Sequence, residues 1–293
     1  GHVSDQIGGV AASPVEATPE AVALESGPSS EDDAFVDRGS LERRVLGSPA
    51  VWVTLAAFVA ALVVHRTVTG GPVAALQGGL AGGELVAGPV DPAALLRSWW
   101  DAWPVDGAGP AAAVMAGPAW LMAHVPWLGV TNPGGSAVTA LLVLAPAVAA
   151  FVAYRAGRVV TRRRLVRGAV ALAYATGPVT WSAATHGRVG PLVALVLLPA
   201  ILALAGRIAA GQGSVSSAAG LALSGAVVTA FVPAVGVALL VVTAILVLAA
   251  RGRGHGQALV AVVGWCGLLG PWLLALFKDP AQLLSGPGAL AYG

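Results

Sequence analysis

Few side chains in this sequence could do chemistry, and two short stretches hold the best of them. The first is Thr185-His186-Gly187-Arg188-Val189-Gly190-Pro191, a polar break between the apolar runs 168–184 and 192–205. Arginine presents a planar fork of donors that suits bidentate recognition of phosphate or carboxylate. His186 and Arg188 are therefore candidates for contact with a polyprenyl phosphate or diphosphate head group. A plainer reading stands beside it, in which Gly187 and Gly190 make the turn while His186 and Arg188 carry their polar ends to water. The second stretch is Trp99-Trp100-Asp101-Ala102-Trp103, followed by Asp106. Aromatic faces stack on sugars, so Trp99, Trp100 and Trp103 are candidates for glycan contact. Asp101 and Asp106 are candidate catalytic carboxylates, as general base or metal ligand. No DxD pair accompanies them, and an acid in an interfacial loop is ordinarily just solvated.

The elements that must position these residues follow from composition. Of 293 residues, 57% are apolar and 10% charged, against about 25% charged in an average soluble domain. The mean hydropathy is +0.80. Apolar residues come in runs of about 17–20, the length that crosses a hydrocarbon core of about 30 Å. The expected fold is all-α, a polytopic transmembrane bundle of about seven spans. The spans read as Leu46–Val64, Ser136–Tyr154, Gly168–Ala184, Pro191–Ala205, Ser217–Phe231, Val235–Ala250 and Leu259–Phe277. Pro233 and an excessive combined length divide 217–250 into two spans joined by a tight turn.

Residues 1–37 are rich in Ala, Ser, Pro, Gly and acids, including Glu31-Asp32-Asp33. They are too poor in apolar side chains to form a core and read as a disordered acidic linker. The chain starts at Gly1 without a methionine and stops at Gly293 after an apolar run, so it is expected to be a piece of a longer polypeptide. The transmembrane domain is then 38–293. Within it, 66–133 is a Gly- and Pro-rich outward segment with five of the nine tryptophans. Leu95–Trp103 fits a short amphipathic helix, and tryptophan favours the membrane interface. Ala111–Leu128, broken by Pro118 and Pro126, is expected as a re-entrant or interfacial helix pair.

Arginine bias in short loops gives the orientation. Arg38, Arg43 and Arg44 precede the first span, Arg155 to Arg167 lie between the second and third, Arg207 follows the fourth, and Arg251 and Arg253 follow the sixth. All fall on one side of a seven-span chain, which marks the cytoplasm and places the N-terminus there. The Trp-rich segment and the His186–Arg188 loop face outward. The arginine cluster could also contact anionic lipid or a cytoplasmic domain. Gly220 and Ser224, four residues apart, suggest close helix packing.

Several signals are missing from the sequence. It holds no Walker A, HExxH, GxSxG or Cys–His cluster, and Cys266 is the single cysteine. Nothing points to nucleic acid, and no metal or cofactor is expected for this chain. The absence of charge in mid-span disfavours an ion-coupled transporter.

A set of weak motifs in a fixed order remains. It runs Gly82-Gly83-Glu84-Leu85-Val86 with Pro89, Leu96-Arg97-Ser98-Trp99, Trp103-Pro104-Val105, and Gly117-Pro118-Ala119-Trp120-Leu121. Ala153-Tyr154-Arg155, Ala171-Leu172-Ala173-Tyr174-Ala175, His186-Gly187-Arg188-Val189-Gly190, Gly270-Pro271-Trp272 and Asp279-Pro280 continue it. This order resembles the multi-span membrane region of large actinobacterial family 2 glycosyltransferase proteins, over about 38–288. Where that family tends to have Trp-His and Pro-Pro pairs, this chain has Trp103-Pro104 and Gly117-Pro118. The resemblance implies a membrane portion of a cell-envelope glycosyltransferase, in the bacterial plasma membrane and serving polysaccharide biosynthesis. It would anchor a nucleotide-sugar transferase domain lying before residue 1, where any divalent metal would belong. Its partners would be that domain, the bilayer and a polyprenyl-phosphate-linked glycan. Two other readings stand beside it: a transporter or flippase-like protein without catalysis, and a lipid-linked-sugar transferase using Asp101 or Asp106.

Overall fold

The computed structural model describes residues 47–69, 76–77, 91–106, 110–249, 253–270 and 272–278. The linker expected at 1–37, the motif at 82–89, Pro271 and the segment after Lys278 lie outside them. So do the side chains of Trp103 and Asp106. Contacts divide the chain into Gly1–Arg43 and Arg44–Gly293, and every described residue belongs to the second unit.

Among the described residues all regular structure is helical. The helices are α1 (Pro49–Thr69), α2 (Pro92–Asp106), α3 (Ala111–Ala123), α4 (Pro133–Ala156), α5 (Arg164–Ala175), α6 (Pro178–Thr185), α7 (Val189–Ala209), α8 (Val215–Phe231), α9 (Pro233–Ala249), α10 (Arg253–Leu269) and α11 (Trp272–Lys278). Prolines 49, 92, 133, 178 and 233 each open a helix, at the position where the missing N–H is not needed. Asn132 caps α4 by accepting from the Gly135 N–H at 3.0 Å, and the Ser214 hydroxyl accepts from the Ser217 N–H at 3.2 Å to cap α8. By length and composition, α4 and α7 are long and apolar enough to cross a membrane, and shorter apolar helices accompany them.

Two of the expected spans are not single helices. The run 168–184 splits into α5 and α6 at Thr176-Gly177, because Pro178 cannot continue the hydrogen-bond ladder and pushes Gly177 to extended backbone (ψ 165°). The run 259–277 splits at Gly270, which takes a left-handed φ of 53°, so α10 and α11 are separate. The division of 217–250 at Pro233 is present, with only Val232 between α8 and α9. The apolar segment 111–128 forms α3 and a single 3₁₀ turn, Pro126–Leu128.

The bundle is built around α4 and α7. Helices α1, α3 and α5 pack on α4, α8 and α6 pack on α7, and α9 and α10 close against α8. Its interior is made largely of small residues: Ala57, Ala61, Ala119, Ala145, Ala149, Ala150, Ala175 and Ala261 are all buried. Trp265, Phe231, Leu142, Leu192, Ile201 and Leu221 are also fully buried, while other large apolar side chains face outward. Trp52, Leu55, Val59 and Val63 form an exposed stripe on α1, and Val241, Val242 and Ile245 are exposed on α9. Small residues let helix backbones approach, the usual solution where lipid rather than water surrounds the helices.

Neighbouring helix ends sort the bundle into two faces. At one, Gly168 at the start of α5 meets Val53 of α1, and Gln257 of α10 donates to the Gly213 carbonyl at 2.9 Å, beside the end of α7. Arg155, Arg158, Arg162 and Arg207 gather at this end. At the other, Gly190 at the start of α7 abuts the Phe231 carbonyl at the end of α8. The loop at 186–188 lies there, opposite the arginines.

One buried polar knot ties α8, α9 and α10. The indole N–H of Trp265, itself 0% exposed, donates to the Thr229 hydroxyl at 2.9 Å, and that hydroxyl donates to the Gly225 carbonyl at 2.8 Å. The indole lies where a side chain on Gly225 would stand, and Gly236 of α9 sits equally close to Thr229. The tight seam of α8 is thus Ala222, Gly225, Ala226 and Thr229. The Gly220–Ser224 pair instead faces α7, with Gly220 near Leu204 and the Ser224 hydroxyl donating to the Gly220 carbonyl at 2.6 Å. Thr229→Val leaves the buried indole N–H without an acceptor and should destabilise by about 1–2 kcal/mol. Gly225→Val should cost about 1–3 kcal/mol through overpacking. Thr229→Ser should recover most of the first loss. Unfolding of the detergent-solubilised chain, followed by tryptophan fluorescence, checks all three.

Candidate functional site

The His186–Arg188 loop is a helix end of defined geometry. After α6, Gly187 takes φ 62°, the left-handed conformation that glycine adopts without penalty. The Arg188 N–H donates to the Ala183 carbonyl at 2.8 Å and the Gly187 N–H to the Ala184 carbonyl at 3.3 Å. These are the two bonds of a Schellman cap. The Thr185 hydroxyl donates to the Trp181 carbonyl at 2.8 Å, and the His186 ring Nδ1 lies 2.7 Å from the Ser182 carbonyl. His186 therefore spends one ring nitrogen on the last turn of its own helix.

The two glycines have different tasks. Gly187 makes the turn, whereas Gly190 belongs to α7, where a Cβ would come within 2.9 Å of the Phe231 carbonyl. The expectation that both shape the turn is corrected on this point. Arg188 is the N-cap residue of α7, with no cap bond from its side chain, and it is exposed. Of the loop's polar residues, Arg188 is the one whose side chain is not used in folding back on α6.

The aromatic candidates sit elsewhere. Helix α2 buries Pro92 and Leu95 and packs chiefly on α3. Trp99 and Trp100 meet edge to face at 6.0 Å, and Trp100 is 62% exposed, as befits a residue at an interface. Asp101 is exposed. Among the described residues no three His, Cys, Asp or Glu side chains gather as a metal-binding group.

A feature without any sequence motif lies between these two places. Helices α3, α4, α7 and α8 enclose a crevice of about 300 Å³ whose lining is almost wholly apolar, including Met115, Leu121, Leu144, Val148, Val193 and Phe231. Val193 stands on α7 little more than one turn beyond Arg188. Pro118 lies inside α3, on the crevice wall. The signal that could have found it is the run of alanines on α4, Ala137, Ala140 and Ala145, which leave room where larger side chains would close the gap.

No protein-family model, no curated protein and no solved structure matches this chain. Arguments about its function therefore rest on its own residues. For the loop, the cap geometry predicts that Gly187→Ala lowers stability by about 1–2 kcal/mol through left-handed strain. Arg188→Ala should leave stability within about 0.5 kcal/mol, as an exposed substitution does. Thermal unfolding in detergent of the two variants side by side measures the contrast.

Proposed function

We propose that this chain is the membrane-embedded portion of a cell-envelope glycosyltransferase. In this reading it anchors a cytoplasmic nucleotide-sugar transferase domain and holds the lipid part of a polyprenyl-phosphate-linked glycan. The seven passes are α1, α4, α5 with α6, α7, α8, α9, and α10 with α11. The arginine end is cytoplasmic and the Arg188 end outward, by the arginine bias of short loops. Supporting the membrane setting are the two long apolar helices, the alanine-rich helix contacts and the many exposed Leu, Val and Ile side chains. The glycosyltransferase assignment draws on the ordered motifs of the sequence.

The observation that carries the lipid-binding part is the apolar crevice beside the start of α7. Its walls have the chemistry of an isoprenoid chain. Arg188, exposed and little more than one turn before Val193, would meet a phosphate at the end of that chain. A phosphate there would receive two N–H donors from one guanidinium, an arrangement a lysine cannot reproduce. Chain and head group would be held by separate parts of α7, so each can be altered alone.

A photoreactive polyprenyl-phosphate probe added to the purified chain in detergent tests this directly. Leu144→Trp fills the crevice and should abolish most cross-linking. Arg188→Ala should weaken probe binding by about tenfold, the loss of one charge-assisted hydrogen-bonded contact. Arg188→Lys should recover it only in part. Labelling unchanged in both Leu144→Trp and Arg188→Ala would leave the crevice as packing space and Arg188 as an anchor.

A further inference from the structure

We propose that the cytoplasmic-end cleft between α4 and α7 is a binding site for the phosphorylated head group of a membrane lipid. The inference rests on the membrane-embedded reading but concerns a different face of the molecule from the crevice beside Arg188. The cleft has a volume of about 870 Å³ and gathers Arg155, Arg158, Arg162 and Arg207 from two segments far apart in sequence. Among the described residues no carboxylate lines it. Four guanidinium groups around one space repel each other unless an anion lies between them. Arginine is also the side chain whose geometry fits phosphate oxygens in pairs.

The cleft is preorganised. The turn that carries Arg158 and Arg162 is stitched by consecutive backbone bonds, with Val159 donating to Ala156, Val160 to Gly157 and Thr161 to Gly157 at 3.0–3.2 Å. Arg167 holds the turn from below: its guanidinium lies 4.8 Å from the Tyr154 ring centre, and its stem packs under Gly157. Arg155 is steadied over the Phe151 ring at 5.9 Å. Arg167 is therefore structural, and Arg163 and Arg164 lie outside the cleft lining, although all belong to one arginine cluster in the sequence.

The walls explain why the ligand is a lipid and not a free phosphate. The α7 side of the cleft is Ala200, Ala203, Leu204 and Gly206. At the rim Val159 and Val160 are 54% and 88% exposed in an otherwise basic turn. Apolar side chains beside clustered arginines match a molecule with an anionic head and an apolar tail lying at the membrane interface.

The topology role of arginine would be served equally by any member of the cluster, so charge-matched variants separate the two. The probe is fluorescent short-chain phosphatidic acid, titrated against the full chain in zwitterionic detergent at physiological salt, where diffuse surface attraction is screened. The Arg158→Gln/Arg207→Gln double variant should bind at least about tenfold more weakly, from the loss of two phosphate contacts. The Arg163→Gln/Arg164→Gln variant should stay within about threefold of the parent, a change under 1 kcal/mol. Equal losses in both variants, or none in either, would overturn the proposal. So would displacement of the probe by inorganic pyrophosphate as readily as by unlabelled phosphatidic acid, since the apolar walls would then contribute nothing. Recovery of the chain in the aqueous fraction after alkaline extraction of membranes would sink the membrane reading itself. A membrane-retained chain with either unfavourable binding pattern would sink only the cleft.

Discussion

The fold depends on helices coming close enough for backbone to meet side chain, and the contact among Gly225, Thr229 and Trp265 shows the requirement most plainly. A fully buried indole fits against α8 only because residue 225 has no side chain. Its N–H, which would be costly to leave unpaired in an apolar interior, is met by Thr229. The same economy runs through the bundle. Alanine and glycine form many of the contacts, and the buried hydroxyl of Thr139 bonds back to the Gly135 carbonyl of its own helix at 2.8 Å. Close approach of the helices and the satisfied indole N–H hold this seam together.

That constraint also explains where open space remains. With small residues on the inner faces, any mismatch between helices leaves a gap that no large side chain fills. The crevice of α3, α4, α7 and α8 is one such gap, at the end of the bundle away from the arginines, and α3 with its internal Pro118 forms part of its wall. The arginine-lined cleft is another, where α4 and α7 end and the turn from 157 to 162 stands beside them. One space is apolar and the other basic because the loops at the two ends differ in charge. In the proposed setting the molecule presents a prenyl-chain site toward one face of the membrane and a phosphate site toward the other.

Much of the architecture was legible in the sequence. Runs of apolar residues, prolines at helix starts and the turn at Val232–Pro233 all mark real helix boundaries. The breaks at Gly177 and Gly270 each fall at a Gly-Pro pair in the sequence, a turn signal that reads as a kink within one span when the apolar run around it is long enough to cross a membrane. The polar loop at 185–191 stood out for its residue types, yet two of its features proved to be helix construction: His186 bonds the final turn of α6 and Gly190 admits α8. Arg188 is the loop side chain with no part in that construction. The cleft could not be read, because its walls come from segments distant in sequence, and the alanines of α4 are the one trace of the crevice. Arg207 in particular looked like an isolated topology marker until the fold set it beside Arg155, Arg158 and Arg162.

The central claim is that the bundle spans a membrane with its arginine end in the cytoplasm and its Arg188 end outside. Cys266 is the single cysteine, so Cys266→Ala provides a background for placing one thiol at a time. A membrane-impermeant thiol reagent applied to intact cells should label Cys introduced at Arg188 or Val232. It should label Cys at Arg158 or Gln212 only after the membrane is opened. Labelling of both pairs from the same side would contradict the account.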